Sequence, residues 1–172
     1  AIKAGATMVN DISGGNLDPG MKEIIARNKV AYILMHMKGK PSDMQDMSHY
    51  QDLTGDLIGY FVNNLRELHR LDIRDIIIDP GFGFSKTMEH NYQLIARLDQ
   101  FRFLGYPIMI GVSRKSSLGK TIGLPAEDTL HATTEHHMAA LLKGASILRV
   151  HDVKPAMDAI AVYNKLHEVK NH

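Results

Sequence analysis

The stretch Asp75-Ile76-Ile77-Ile78-Asp79-Pro80-Gly81-Phe82-Gly83-Phe84-Ser85-Lys86 sets the fold. Its first part is a short continuous apolar run, the pattern of a parallel strand covered on both faces. Pro80 cannot extend a central strand, and Gly81 and Gly83 allow backbone angles and close approaches that side chains block. The strand therefore stops at Asp79 and a tight loop follows, which holds Asp79 at the strand's C-terminal rim. The residues themselves leave two readings of that rim open. One is a turn whose Asp caps the next segment while Phe82 and Phe84 fill the end of the core. The other is a carboxylate offering two acceptor oxygens to a flat heterocycle with adjacent N–H and amino donors, walled by the two Phe rings.

Outward from this stretch the same apolar pattern recurs at residues 7–11 (TMVND), 31–36 (AYILMH), 107–113 (PIMIGVS) and 146–151 (SILRVH). Helical periodicity fills the intervals, at residues 19–28, 50–71, 88–101, 125–143 and 154–169. In the second of these, Leu53, Leu57, Phe61, Leu65 and Leu68 form one apolar stripe. Strict strand–helix alternation predicts an α/β fold with a parallel sheet, either open and doubly wound or closed into a barrel. The polar residues favour the barrel. Asn10 and Asp11, His36, Asp79, and Arg149 with His151 end four strands, and the fifth strand runs into Ser113, Arg114, Lys115 and Ser116. In a (β/α)8 TIM barrel such ends converge on one mouth, whereas an open sheet spreads them along an edge. The expectation is an incomplete barrel with about five of the eight parallel strand–helix units, corresponding to the last five.

At 172 residues, 44% hydrophobic and 23% charged, the chain supports one core, and the whole of 1–172 reads as one domain. A net charge of +1 gives no general attraction to nucleic acid or to an anionic membrane. With no cysteine there is neither a disulfide framework nor a thiolate metal site, and a cytoplasmic location fits. The apolar runs fall well short of the ~20 residues that cross a bilayer. The opening residues AIKAGATMVNDI read as the tail of a helix entering a strand, so the chain is expected to be an N-terminally truncated piece of a longer protein.

Three further constellations carry chemistry. Gly111-Val112-Ser113-Arg114-Lys115-Ser116-Ser117 follows a strand and offers hydroxyls and two cations to an anionic or carbonyl-rich ligand; a helix N-cap beside solvated basic residues fits equally. Gly119-Lys120-Thr121 is not the end of a phosphate-binding P-loop, because that motif needs glycine where Arg114 stands. In Arg149-Val150-His151-Asp152, period-two geometry puts Arg149 and His151 on one face, either toward the barrel mouth or in an ion-pair lattice with Asp11 or Asp152. Asn10 pairs a donor with an acceptor and is either a ligand to a ring nitrogen or a turn residue. The ten histidines, His172 among them, include no HExxH pattern, so a zinc site is not expected.

Taken in order, VNDI (9–12), LMHMKG (34–39), DPGFGFSK (79–86), GVSRKS (111–116) and RVHDV (149–153) resemble the dihydropteroate synthase family over about residues 1–165. That resemblance implies a transferase of folate biosynthesis that joins 6-hydroxymethyl-7,8-dihydropterin diphosphate to 4-aminobenzoate, with release of diphosphate, and that is a sulfonamide target. It implies catalytic roles for Asp79, Lys115 and Arg149, pterin contacts from Asn10, Met35 and Asp79, and a bridging contact from Lys115. By the same resemblance, Phe84 and Ser116 are expected in the aminobenzoate pocket, Arg149 is expected to stack near the pterin, and His151 is expected to bind the diphosphate. The resemblance also implies Mg²⁺, whose family Asn ligand has no counterpart here, and a homodimer formed through the late helices. Two other readings stay open: a methyltetrahydrofolate-dependent methyltransferase domain and a noncatalytic pterin-binding module. Because the family's first strand–helix units have no counterpart, the isolated chain is expected to be inactive or nearly so.

Overall fold

Five short strands run parallel and lie side by side in the order in which the chain makes them. They are β1 (Met8–Asp11), β2 (Ala31–Met35), β3 (Ile76–Asp79), β4 (Met109–Ile110) and β5 (Ile147–Leu148). β1, β2 and β3 form one continuous ladder, a parallel bridge from Ile78 to Ile108 joins β3 to β4, and β4 pairs with β5. The computed structural model describes residues 1–170, so His172 lies outside the described residues. A doubly wound sheet reverses its strand order at a switch point. No reversal occurs here: the spatial order is the chain order, and the sheet is an arc of a (β/α)8 barrel that does not close.

Alternation along each strand sorts the side chains between two cores. Tyr32, Leu34, Ile76, Ile78, Ile108 and Ile110 turn outward and pack with the helices in one large cluster. Ile33, Ile77 and Met109 have the opposite parity and form a separate small cluster inside the arc, with Ile147 against it. The outer core is closed chiefly by the helix α2 (Leu53–Arg70), whose predicted stripe of Leu53, Leu57, Phe61, Leu65 and Leu68 is fully buried. The remaining helices are α1 (Met21–Asn28), α3 (Met88–Ala96), α4 (Ser116–Ile122), α5 (Leu130–Leu142) and α6 (Val153–Lys170). No helix among the described residues is long and apolar enough to cross a membrane.

Several boundaries differ from the sequence reading. The opening residues form a single 3-10 turn, Ile2–Ala4, that leads into β1. The helix expected over 88–101 ends at Ala96 and continues as a 3-10 segment, Leu98–Leu104, which ends at Gly105 in the left-handed region (φ +78°). The helix expected over 125–143 begins with a separate 3-10 turn, Ala126–Asp128. β4 and β5 are two residues each, far shorter than their apolar runs. β1 and β5 each have one neighbour among the described residues, and Met8 is 45% exposed, so both edges present unpaired backbone.

Phe61 sits where α2 meets the sheet, fully buried, with edge-to-face contacts to Tyr60 at 5.4 Å and Phe101 at 6.0 Å. Phe61→Ala is expected to cost about 3–5 kcal/mol of unfolding free energy in urea. A loss under about 1 kcal/mol would mean that the outer core is not the continuous unit described.

Candidate active site

The parity that builds the inner core also builds a polar layer above it. Asn10, Met35 and Asp79 occupy the inward positions at the ends of β1, β2 and β3, and Gly111 and Arg149 take the same parity one residue beyond β4 and β5. With Ile12, Phe82, Phe84 and Lys115 they line a single cavity of about 100 Å³. That volume is below the roughly 300–1,000 Å³ of enclosed ligand pockets.

Asp79 serves the turn and faces the cavity at once. Its Oδ1 accepts the Gly81 N–H at 2.8 Å, and its Oδ2 makes no hydrogen bond among the described residues. Burial pushes the carboxyl up to about 6, while the Gly81 N–H, Lys86, Lys115 and Arg149 pull the other way. The turn requires glycine at 81: φ is +73°, and a Cβ there would lie 2.0 Å from the His36 carbonyl oxygen. Lys115 reaches over the Phe84 ring, with Nζ 4.7 Å from its centroid. Burial lowers the Lys115 pKa, Arg149 adds to the effect, and Asp79 opposes it.

Two of the polar strand ends named in the sequence do not reach this site. Asp11 follows the inward Asn10 and so points to the helix side, where it accepts from Ser13 N at 2.9 Å, Ser13 Oγ at 2.7 Å, Gly15 N at 2.6 Å and Tyr32 OH at 3.0 Å. Burial would raise its carboxyl, but these donors outweigh burial and hold it below the usual range. His36 follows the inward Met35 and is likewise turned outward, edge-on to Tyr60 at 4.9 Å. Burial, with Lys86 and Lys38 nearby, drives its pKa down to about 2 and keeps it neutral.

The SRKS and RVHD segments are also corrected in detail. β5 ends at Leu148, so the strand period no longer governs His151. Arg149 is exposed and lines the cavity; His151 does not, and instead donates its N–H to Ser113 Oγ at 3.2 Å with Nδ1 3.0 Å from the same oxygen. The ion pair that Asp152 makes is with Arg114, at 2.8 and 3.0 Å, and not with Arg149 or His151. Ser116 opens onto a second cavity of about 170 Å³, lined also by Gly83, Thr87, Asn91 and Lys120. Phe84 and Ser116 therefore stand on different cavities, and Lys115 is common to both.

Lys86 escaped the sequence reading. Its ammonium is buried, donates to the Phe84 carbonyl at 3.0 Å and lies 3.2 Å from His36 Nδ1. Burial brings its pKa down to about 7. A lysine after a Gly-Phe turn reads as solvated, and only the loop's return onto β2 and His36 shows otherwise.

For a divalent ion the fit is poor. Among the described residues no three His, Asp or Glu side chains are grouped so as to hold a metal. Asp11 is already saturated by donors, and Asp79 faces cations instead of other carboxylates. These described residues do not by themselves make a magnesium site.

Residues 1–151 match the family model described as pterin binding enzyme. Escherichia coli dihydropteroate synthase is 36% identical over 164 residues, which is 94% of this chain and 58% of that enzyme. The Yersinia pestis dihydropteroate synthase structure with a sulfonamide drug complex superposes with a TM-score of 0.94 at 34% identity, covering 98% of this chain and 62% of that one. Thermus thermophilus dihydropteroate synthase superposes with a TM-score of 0.92 at 34% identity in complex with 6HMPPP, covering 96% of this chain and 66% of that one. Its complex with 4-aminobenzoate gives the same TM-score and identity, with 96% and 65% covered. The chain spans about three-fifths of the length of these relatives, and, with its inward polar layer on parallel strand ends, it belongs to the pterin binding enzyme family alongside the dihydropteroate synthases.

Proposed function

We propose that this chain supplies the pterin- and aminobenzoate-recognising wall of a dihydropteroate synthase, the enzyme that joins 6-hydroxymethyl-7,8-dihydropterin diphosphate to 4-aminobenzoate. The observation that carries this reading is the convergence of Asn10, Met35, Asp79, Lys115 and Arg149 on one cavity. The free Oδ2 of Asp79, beside an Oδ1 fixed by the Gly81 N–H, suits the donor edge of a pterin. Asn10 adds a donor and an acceptor, and Met35 gives the ring an apolar floor. The T. thermophilus structures that this chain resembles carry 6HMPPP and 4-aminobenzoate, which supports a two-substrate reading. A second cavity opening off Lys115 beside Ser116 is what a two-substrate enzyme needs and a pterin-only binder does not.

The reaction requires the amine nitrogen of aminobenzoate to attack the methylene carbon of the pterin. A C–N bond forms, the C–O bond to diphosphate breaks, and the amine gives up a proton. No covalent nucleophile is needed. In this reading Asp79 and Asn10 orient the ring, Lys115 bridges pterin and aminobenzoate, and Arg149 and His151 offer positive charge or hydrogen bonds where the diphosphate departs. The magnesium implied by family likeness would be held by groups other than the residues described here. Self-association through α5 and α6 belongs to the same proposal, supported by the exposed side chains of Leu142, Met157 and Leu166.

Two outcomes follow. Only ionised Asp79 accepts both pterin donors, so protonation competes with binding as pH falls. Calorimetric affinity for the pterin diphosphate should be level above the Asp79 pKa of about 6 and fall about tenfold per pH unit below it. Asp79→Asn should weaken binding by about 10- to 100-fold and abolish that pH dependence. Affinity unchanged from pH 7 to pH 5 in the unmodified chain would remove Asp79 from the pterin site. The 172-residue chain alone, given magnesium and both substrates, is proposed to turn over at least about a hundredfold more slowly than E. coli dihydropteroate synthase, because its mouth is walled on one side by five strand ends. Comparable turnover would overturn that proposal.

A further inference from the structure

Arg114 stands between the two residues of its loop that serve the site. Its φ is +53°, a left-handed conformation that side-chain-bearing residues rarely adopt, and it reverses the chain between Ser113 and Lys115. Ser113 turns toward His151, and Lys115 turns into the cavity. Four bonds hold Arg114 there. Its N–H donates to Thr133 Oγ1 at 3.1 Å, Nη1 donates to the Glu127 carbonyl at 2.6 Å, and Nε and Nη2 donate to the two Asp152 oxygens at 2.8 and 3.0 Å. Asp152 follows His151 directly and leads into α6, so this two-bond pair ties the loop after β4 to the loop after β5. His137, buried on α5, makes no hydrogen bond through either ring nitrogen among the described residues.

We propose that Arg114 and Asp152 are positioning residues whose two-bond ion pair locks the β4–α4 and β5–α6 loops together and so sets Lys115 and His151 in fixed relation across the mouth. This rests on the reading of Lys115 as the pterin–aminobenzoate bridge and of His151 as the diphosphate contact. Neither Arg114 nor Asp152 lines the cavity, so the pair acts through the residues beside it. The carboxylate-to-guanidinium geometry matters more than charge alone, because a lysine at 114 cannot make two parallel bonds.

Asp152→Asn and Arg114→Lys test the lock by two measurements on the same 172-residue chain. The first is amide hydrogen exchange, which needs no ligand. Exchange at the Lys115 amide, bonded to Val112 O at 3.3 Å, and at the His151 amide, bonded to Ser113 Oγ, should rise together, at least about tenfold, in both variants. The β2 amides, such as that of Tyr32, should not change. A rise in one loop only, a rise throughout the chain, or no rise overturns the lock. The second is calorimetry with 6-hydroxymethyl-7,8-dihydropterin and with its diphosphate. The variants should lose affinity for both, because Lys115 contacts the pterin, but at least about tenfold more for the diphosphate than for the diphosphate-free pterin, because His151 contacts only the diphosphate. Equal losses for both overturn the positioning role. Failure of the unmodified chain to bind either pterin would instead count against the functional reading, and the exchange result would still decide the lock.

Discussion

Side chains in an extended strand alternate between its two faces, and nearly every feature of this protein hangs on that constraint. Tyr32, Leu34, Ile76 and Ile78 face the helices, so Ile33 and Ile77 must face the interior. One step further along, Met35 and Asp79 share that interior face, and Asn10 joins them from β1. The site is thus the continuation of the inner core past the point where apolar side chains give way to polar ones. It inherits its rigidity from the ladder beneath it, which is where a recognition site is best held.

The same constraint removes groups from the site. Asp11 and His36 are chemically as suited to a ligand as Asn10 and Asp79, yet each is one residue out of phase. Each is instead used to fasten the strand ends to the outer layer, Asp11 through Ser13, Gly15 and Tyr32, and His36 through Lys86 and Tyr60. The mouth therefore has two concentric shells. The inner one, Asn10, Met35, Asp79, Lys115 and Arg149, lines the cavity, and the outer one, Asp11 and His36, is engaged by contacts of its own.

Charge is arranged with similar economy. Asp79 is buried with its carboxyl pushed toward neutrality, and three cations, Lys86, Lys115 and Arg149, partly restore its ionisation. Lys86 is itself buried and depressed, and it closes the DPGFGFSK loop on the Phe84 carbonyl. A turn that looks like simple punctuation in the sequence is thus organised around a buried lysine.

By itself the sequence determined the alternation of strands and helices, the buried stripe of α2, the end of β3 at Pro80 and the resemblance carried by five motifs in order. Each of these depends on local periodicity or local chain stiffness, which neighbouring residues alone dictate. Only the tertiary structure decided that Asp79 is both cap and free acceptor, that Asp152 takes Arg114 and not Arg149, that Phe84 and Ser116 stand on separate cavities, and that Lys86 is buried. These turn on where loops from different strands meet. Partners such as Arg114 and Asp152, 38 residues apart, have no local signal that names one to the other.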